Sequence, residues 1–412
     1  MNDILPGESR RWQKVESAFR RTFERAGFRE VRKPLVEPTP LFVRTIGEAT
    51  DVVEKEMYSF VHHDEALTLR PEATAGAARA YVEHGIHNQE PVSRWYCMGP
   101  MFRGERPAKG RYRQFYQLDA EVFGDPGPGC DAELIDMLVG FLREIGVPGV
   151  EVLVNSLGGP ETRVKYKEAL AAALLPHKEK LSPDSQRRLT TNPLRILDSK
   201  DPKDREIVAE CPSLTEFLSE ADRAHFDELR RQLDALGTPY TVDARLVRGL
   251  DYYTRTLFEI KGAKEKLGAG YTLVGGGRYD GMIEELGGPS VPAIGFAAGI
   301  ERLLIASEET AAEPVVDVLV ASIGAAAARE ALVLARELRA AGVSTDADAR
   351  GGSLKSQLRR ANALGARVAI ILGDNELASG QLEVKDLAAH AQAKVARAEV
   401  VADVARRLGL TP

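Results

Sequence analysis

Residues 93–123 read SRWYCMGPMFRGERPAKGRYRQFYQLDAEVF, and this stretch predicts a long antiparallel hairpin. Two strand-like runs flank a basic loop that contains glycine and proline, as is typical of a hairpin. In the second run, alternation places Leu118, Ala120 and Val122 on one face. That face is apolar, so we expect it to pack against helices.

The opposite face of the second arm is polar, and it has two possible interpretations. Its members are Arg113, Phe115, Gln117, Asp119 and Glu121. A solvated outer face of an antiparallel sheet is one interpretation. The other is the wall of a cleft, because Arg103 ends the first arm, the loop adds further cations, and Glu72 opens a predicted helix nearby. Cations with placed carboxylates suit a substrate that has both an amine and phosphates.

Three further stretches contain candidate site residues or glycine turns. RGLDYYTRTLFEI at 248–260 alternates like a strand from Tyr253 onward, yet begins with groups that need hydrogen-bond partners. LVGGGRYDGM at 273–282 lacks the spacing of a nucleotide-binding glycine loop, so it predicts a tight turn or bulge between strands. AIGFAAGIERLLI predicts a strand, a glycine turn and a helix from Ile300. Arg302 in the first turn of that helix either clamps a phosphate or is an ordinary exposed arginine.

Composition describes an ordinary globular chain of two or three domains. The 412 residues are 44% hydrophobic and 28% charged, with a net charge of −6. The three cysteines are far apart, so neither a disulfide framework nor a zinc site is indicated, and a cytoplasmic setting is expected. The sequence shows neither a signal peptide nor an apolar run of about 18 residues, so no membrane association is expected. His84 and His87 have no neighbours that complete a metal site, and no tightly bound metal is expected.

The chain is expected to contain an inserted helical segment and a separate C-terminal unit. Residues 157–244 are charged, helical in pattern and interrupted by prolines. After a linker at 310–314, strands and helices alternate, which predicts an α/β unit with a mainly parallel sheet and a last helix near 389–408. The predicted parts are 1–156, 157–244, 245–312 and 313–412.

The C-terminal unit differs in charge from the rest of the chain. Residues 315–412 hold 13 Lys and Arg against 11 Asp and Glu, a net charge of +2, which leaves −8 for the remainder. A basic cluster, consisting of Arg350, Lys355, Arg359 and Arg360, surrounds a Gly-Gly turn and the following helix. It is either a solvated helix face or an RNA contact. The second is favoured because the cluster follows the carboxyl end of a predicted strand.

With these motifs in order, the chain resembles the histidyl-tRNA synthetases, a family of class II aminoacyl-tRNA synthetases. TPLFVRTIGEATDVVEKEMYSF, GPMFRGERPAKGRYRQFYQLDAEVFG and AIGFAAGIERLL resemble the three motifs of the class. LVRGLDYYTRTLFEI and GGGRYDG resemble the two histidine-specific signatures, which are far more particular. DARGGSLKSQLRRANALGARVAIILGDNEL resembles the C-terminal anticodon-binding domain of the family.

The resemblance implies an α+β catalytic domain whose antiparallel sheet of six to seven strands is flanked by helices, a helical insertion that touches tRNA, and a C-terminal α/β anticodon-binding domain. It implies ATP-dependent attachment of L-histidine to its tRNA through histidyl-adenylate, with magnesium accompanying ATP. It also implies a homodimer whose interface is built by the first motif.

Residue roles carry over by position in the matching motifs. The expected histidine-binding residues are Glu72, Thr74, Arg103, Gln117, Glu121, Arg248, Tyr252, Tyr253 and Tyr279. The expected ATP-binding residues are Arg103, Glu105, Arg111, Arg113, Phe115 and Arg302. Arg248 and Arg103 are expected to act at the reacting α-phosphate, because a fixed guanidinium stabilises the charge that develops there.

A non-catalytic paralogue is the alternative interpretation. Such a chain would act as a regulatory subunit or as a tRNA-sensing module. The alternative is disfavoured because both histidine signatures, the anticodon-binding segment and the three arginines Arg103, Arg248 and Arg302 are present.

Overall fold

The computed structural model describes residues 2–48, 50–199, 201–263, 271–308, 314–348 and 352–410. The chain divides into two compact units, Met1–Glu308 and Glu309–Pro412. The predicted linker at 310–314 lies outside the described residues except for Pro314.

The helices α1 to α14 are, in chain order, Pro6–Arg25, Thr39–Ile46, Thr74–Glu83, Pro128–Glu144, Pro160–Leu174, Pro183–Thr191, Pro202–Ala209, Glu220–Leu236, Met282–Glu285, Ile300–Ala306, Ala325–Ala340, Leu354–Ala363, Asp374–Ser379 and Val400–Leu408. The strands β1 to β16 are Arg29–Glu30, Val36–Pro38, Tyr58–His62, Glu65–Leu69, Ser93–Phe102, Gln114–Phe123, Glu151–Ser156, Thr241–Val242, Thr254–Lys261, Thr272–Arg278, Ala293–Gly299, Val318–Ser322, Thr345–Ala347, Val368–Leu372, Gln381–Asp386 and Ala391–Ala396. Short π and 3₁₀ turns lie at Val52–Glu56, Ile86–Asn88, Leu175–Lys180, Pro193–Ile196 and Leu214–Phe217.

The first unit is built on an eight-stranded sheet with the order β1-β5-β6-β11-β10-β9-β7-β8. The predicted hairpin is confirmed: β5 and β6 are antiparallel over their whole length, from Ser93 opposite Phe123 to Phe102 opposite Gln114. The expectation of an antiparallel sheet of six to seven strands is wrong at the two edges of the sheet, which has eight strands. The two-residue strands β1 and β8 add parallel pairings at the two edges.

The apolar face of the hairpin packs against helices, as its alternation predicts. Leu118 and Val122 of β6 lie in one buried cluster with Phe19 of α1 and Phe141 of α4. The rings of Phe19 and Phe141 meet edge to face with their centroids 5.5 Å apart. Burying such side chains contributes about 1.5–3 kcal/mol each, so this layer holds the sheet while its other face remains available for a site.

The glycine run forms a central strand, so of the two predicted possibilities the tight turn is wrong and a bulge-like irregularity is present. Gly275, Gly276 and Gly277 all lie within β10, between β9 and β11. A Cβ at Gly276 would overlap the main chain of Gly295, so close packing of neighbouring strands excludes a side chain there. The pairing with β9 shifts register between Gly277 and Arg278, at the end of the glycine run.

The tyrosine-pair stretch is irregular before it becomes a strand. Strand β9 begins at Thr254, and Arg255 has a φ of +44°, which is unusual for a residue with a side chain. Phe258 and Ile260 lie in the core beneath the sheet, as alternation predicts. Residues 246–253 therefore approach the sheet as a loop.

The segment 157–244 is helical, as predicted, but its last part is integrated into the sheet domain. Helix α8 places Phe226, Leu229 and Leu233 in the same cluster as α4, and β8 pairs with β7. Helix α5, which precedes α8 in this segment, packs in a different buried cluster. Tyr166 of α5 lies in a second buried cluster that includes Tyr252. The boundary of an insertion within this segment therefore remains a proposal.

The second unit contains a five-stranded sheet with the order β13-β12-β14-β15-β16. It is mixed rather than mainly parallel, because β15 and β16 run antiparallel to their neighbours. The predicted last helix is wrong over residues 391–396, which form β16. The turn before β16 includes His390 at a φ of +53°, and it reverses the chain onto the edge of β15. The alanine content of this segment favours a helix, but the strand pairing prevails.

Candidate active site

One cavity lies on the polar face of the large sheet and brings together most of the predicted site residues. Twelve of them line it: Glu72, Thr74, Arg103, Glu105, Arg111, Phe115, Gln117, Arg248, Tyr252, Tyr253, Tyr279 and Arg302. Glu121 lies directly beneath, bonded to two of these residues. Arg113 is exposed and is not in the lining. The polar face of β6 is therefore the wall of a cleft over its inner part, not a solvated surface.

Buried acids and hydroxyls form one end of the cavity. Glu72 accepts hydrogen bonds from the backbone N–H groups of Thr74 and Ala75, both at 2.8 Å, and so caps helix α3. The hydroxyl of Thr74 donates to Glu121 at 2.7 Å, and the Tyr279 hydroxyl donates to the other carboxylate oxygen of Glu121. This chain of bonds fixes Glu121 from two different elements.

Three tyrosines surround these acids. The rings of Tyr252 and Tyr253 lie 4.6 Å apart, and Tyr279 meets Tyr252 edge to face at 5.6 Å. All three are buried, and burial raises the pKa of each phenol. They therefore stay neutral and can offer hydroxyl hydrogen bonds to a ligand.

Burial also sets the ionisation of the acids beneath the cavity. It raises the pKa of Glu121 to about 8, against the hydrogen bonds from Tyr279 and Thr74, and it raises the pKa of Asp119 to about 7. Lys33 is buried beside them and donates to the carbonyl of Ala73 at 2.6 Å. A positively charged ligand group at this end would favour the ionised acids.

Guanidinium groups form the other end of the cavity. Arg302 donates to the carbonyls of Gly110 at 3.1 Å and Thr272 at 2.8 Å. Arg103 donates to the carbonyl of Pro71 and lies 5.4 Å from the ring centroid of Phe115. Burial, followed by repulsion from Arg111, Arg248 and Arg103, lowers the pKa of Arg302. Cations that are crowded and fixed in this way suit a polyanionic ligand.

Arg248 lies between the two ends. It is held over the sheet by Glu259, which accepts from its Nη1 at 3.0 Å. Glu259 in turn accepts from the hydroxyl of Thr272 at 2.6 Å. A Cβ at Gly275 would overlap the guanidinium of Arg248, so only glycine leaves room for this placement. The charge of Arg248 influences the pKa of Tyr253 on one side and of Arg302 on the other.

Two buried polar atoms in the cavity have no hydrogen-bond partner among the described residues. They are Oε1 of Gln117 and Nε of Arg248. Buried polar atoms are nearly always paired in proteins. Both atoms are thus candidates to bind a ligand, one as an acceptor and one as a donor.

Several residues that shape the site were not predicted from the sequence: Glu259, Gly275, Gly295, Glu301, Asp131 and Arg278. The carboxylate of Glu301 accepts from the backbone N–H of Tyr116 at 3.0 and 3.1 Å, and burial raises its pKa to about 7. Alternation along β9 places Glu259 on the face opposite to Phe258, so this pattern could have identified Glu259 as a site residue. The others depend on contacts between distant segments, which a single sequence does not display.

A fully buried ion pair supports the cavity from behind. Arg278, next to Tyr279, pairs with Asp131 of α4 at 2.6 Å. Asp131 also accepts from Thr256 and contacts His225 at 3.0 Å. Both partners of the pair have no exposed side-chain surface, so removal of either would leave the other buried without its main partner of opposite charge.

The basic cluster of the second unit is an open surface. Lys355 and Arg359 are exposed on α12, and Arg360 pairs with Asp346 of β13. Arg350 lies outside the described residues. Gln357 is buried in the same helix and bonds the backbone of Ser322 through both its amide oxygen and its amide nitrogen. This residue attaches the basic helix to the end of β12.

The described part of the chain holds neither a cluster of metal ligands nor a membrane-spanning helix. No three His, Cys, Asp or Glu side chains come together as a metal site. No helix in these segments has the length and apolar character needed to cross a membrane.

Comparison with known proteins gives consistent matches. A family model described as histidyl-tRNA synthetase matches residues 1–303, and one described as anticodon binding domain matches residues 317–407. The chain is 60% identical to the histidine–tRNA ligase of Sorangium cellulosum, over 98% of this chain and 95% of that protein. It is 47% identical to the histidine–tRNA ligase of Thermosynechococcus vestitus, over 100% of this chain and 96% of that protein.

A solved structure extends the likeness to the fold. The apo histidyl-tRNA synthetase of S. aureus superposes with a TM-score of 0.82 at 35% identity, and the match covers 98% of each chain.

Proposed function

The chain belongs to the histidyl-tRNA synthetase family, and on that premise we propose how its cavity performs the reaction. As a histidine–tRNA ligase, it attaches L-histidine to its cognate tRNA at the expense of ATP, through histidyl-adenylate, for protein synthesis. The proposal is carried by one observation: the cavity has an end of buried acids and phenols and an end of fixed guanidinium groups, with Arg248 between them.

Histidine occupies the acidic end in this proposal. Its α-ammonium group binds to Glu72, Thr74 and the orphan oxygen of Gln117, and its imidazole binds to Glu121 and Tyr279. Tyr252 and Tyr253 enclose the ring. A ligand cation or N–H donor lowers the cost of ionising Glu121, whose pKa of about 8 keeps it protonated at neutral pH in the free cavity.

ATP occupies the guanidinium end. Phe115 supports the adenine, and Arg302 binds the γ-phosphate. Arg103 bridges the α-phosphate and the histidine carboxylate. Glu105 and Arg111, which pair at 3.4 Å, and the exposed Arg113 contact the nucleotide from the hairpin loop.

The reaction depends on positioning the reactants and stabilising the developing negative charge more than on acid–base catalysis. A carboxylate oxygen of histidine attacks the α-phosphorus, the bond to the bridging oxygen breaks, and pyrophosphate leaves with its electron pair. Arg248, already fixed by Glu259 and Gly275, stabilises the added negative charge without reorganisation. A terminal ribose hydroxyl of tRNA next attacks the adenylate carbonyl, and AMP leaves.

Magnesium would enter the site with ATP, as part of the nucleotide substrate. Magnesium bound to phosphates needs only one or two protein carboxylates. Glu105 and Glu301 line the cavity together with Arg302, and the charge of Glu105 partly opposes the lowering of the pKa of Arg302, so the residues present fit the ion. Its chemistry would be to neutralise phosphate charge.

The deciding experiment is histidine-dependent exchange of radiolabelled pyrophosphate into ATP by the purified chain. We expect exchange with histidine and none with other amino acids. A folded protein that exchanges nothing would instead favour the regulatory or tRNA-sensing alternative.

A homodimer formed through the first motif is also proposed. Strand β3 lies at the edge of the small sheet with the order β2-β4-β3 and exposes Phe60 and Val61, the latter at 73%. An exposed apolar edge strand invites pairing with another chain. Light scattering of the wild type should give twice the chain mass, and V61E should shift the population toward the monomer.

Transfer RNA is proposed to bind the C-terminal unit through the basic cluster, and the helices within 157–244 are proposed as a second contact. Lys355 and Arg359 are exposed and able to meet phosphates. We place the protein in the cytoplasm, where tRNA charging supplies translation.

A further inference from the structure

Asp251, the residue before the tyrosine pair, is held by the predicted insertion segment 157–244. Its Oδ1 and Oδ2 each lie 3.0 Å from the amide nitrogen of Asn192. Oδ1 also accepts from Nε of Arg195 at 3.3 Å and from Nη2 at 3.1 Å. Asn192 and Arg195 lie at the turn that follows α6, 59 and 56 residues away along the chain.

The main chain of Asp251 is fixed as well. Its carbonyl accepts from Nη2 of Arg163 on α5 at 3.0 Å, and its N–H donates to the carbonyl of Ile46 at 3.2 Å. A Cβ at Gly47, where φ is +99°, would lie 2.9 Å from Oδ2 of Asp251. Two helical elements of the segment and the end of α2 therefore meet at this one residue.

The chain beyond the tyrosine pair is held by the same segment. Arg255, at its φ of +44°, donates from Nε to Asp222 of α8 at 3.1 Å. Tyr252 and Tyr253 are thus flanked by two anchors. Because they belong to a loop and not a strand, sheet pairing does not set the position of their rings.

We propose that Asp251 is a positioning residue through which the helical elements at 160–196 set Tyr252 and Tyr253 for histidine binding. The inference rests on the proposed function of the cavity and adds a specificity-determining contact that does not touch the substrate. The alternative is a plain structural ion pair. The side chains of Asp251 and Arg195 are 31% and 12% exposed, so loss of a purely structural pair would lower the melting temperature.

The test uses D251N in the full-length chain. The substitution keeps the shape of the side chain and an acceptor for Arg195, but places an amide nitrogen against the amide nitrogen of Asn192. We expect the KM for histidine in pyrophosphate exchange to rise roughly tenfold, since small misplacements of binding groups have effects of this size. The KM for ATP and the melting temperature should stay at their wild-type values.

Two further variants make the test specific. N192D combined with D251N exchanges the carboxylate and the amide between the two positions, so it restores a donor facing an acceptor and should recover most of the wild-type KM for histidine. D184N removes the exposed Arg187–Asp184 pair on α6 and should leave both KM values unchanged.

The outcomes separate this inference from the function on which it rests. If the wild type exchanges pyrophosphate and D251N has a wild-type KM for histidine, Asp251 is not a positioning residue. The same conclusion follows if D251N raises the KM values for histidine and ATP together and lowers the melting temperature, and if adding N192D to D251N gives no recovery. A wild type without exchange would overturn the proposed function itself.

Discussion

The cations of the catalytic cavity and those of the C-terminal unit are held in opposite ways. Arg248 and Arg302 are bonded to a carboxylate and to backbone carbonyls, and a glycine makes room for one of them. Lys355 and Arg359 extend from an exposed helix face. The first arrangement fixes charge at one point. The second leaves the charges free to move.

This difference corresponds to two kinds of electrostatic work. A fixed guanidinium in a partly desolvated site can stabilise a transition state, because it does not need to reorganise. Exposed, mobile cations attract a polyanion over a distance of about 10 Å, and salt screens that attraction. The cavity should therefore be sensitive to small displacements, and the basic cluster should be sensitive to ionic strength.

The largest effect is expected from R248A. If Arg248 contacts the reacting phosphate as proposed, loss of this fixed donor should reduce kcat for pyrophosphate exchange by about 10²–10³, or roughly 3–4 kcal/mol. R248K should lie between R248A and wild type, since lysine lacks the planar fork. Measurement of kcat with R187A as control decides the matter. An R248A enzyme with near-normal kcat would remove the contrast between the two regions.

The next effect concerns pH, and it comes from the buried acids of the cavity. The pKa of Glu121 is raised from 4.5 to about 8, so its contribution to stability is fully present below pH 4.5 and is lost as pH rises through 8. The free energy of unfolding of the ligand-free protein should therefore fall between about pH 5 and 8, by an amount on the order of a few kcal/mol. Asp119 and Glu301 contribute in the same direction.

The variant E121Q tests the assignment of this slope. Denaturant unfolding at a series of pH values should show a shallower dependence for E121Q and an unchanged one for D184N. If E121Q has the same pH dependence of the free energy of unfolding as the wild type, groups other than Glu121 cause that dependence.

A smaller effect is expected from G275A, which tests whether the absence of a side chain at Gly275 allows the observed position of Arg248. The new methyl group must displace the guanidinium, and kcat for exchange should fall roughly thirtyfold. G281A is the matched control, because a Cβ there meets nothing within 4 Å. Equal effects of the two substitutions would show that Gly275 has no special relation to Arg248.

The smallest effect is expected from R359E combined with R360E. The KM for tRNA in aminoacylation should rise about fivefold to tenfold at moderate salt, and the rise should shrink as salt increases. Pyrophosphate exchange without tRNA should be unaffected. Loss of both activities would mean that these residues support the fold and not RNA binding.

Features that depend on local periodicity could be predicted from the sequence. The period-two alternation of β6 alone assigns Gln117 and Glu121 to one face and Leu118 to the other. In the structure Leu118 lies in the core, Gln117 lines the cavity and Glu121 lies directly beneath it. The irregular start of the tyrosine-pair stretch is visible as an excess of polar groups. Their partners are not, because Asn192 and Arg195 lie far away in the chain.

Other predictions failed where tertiary packing overrides local preference. Three consecutive glycines favour a turn, yet they lie in the centre of a sheet, where the close approach of Phe258 and Gly295 leaves no room for a side chain at Gly276. Residues 391–396 resemble a helix by composition, yet they pair with an available strand edge. The roles of the remaining site residues came from family resemblance and remain proposals about this chain.

The glycines of the cavity have a consequence for protein engineering. Gly275 and Gly295 contribute bare main chain to the lining, and a methyl group at Gly295 would collide with Glu121. A larger, non-natural amino acid cannot be accommodated by trimming these positions, because they offer no atoms to remove. Under the proposed function, redesign of the amino-acid preference would act on Tyr252, Tyr253 and Tyr279, or on their proposed positioning residue Asp251.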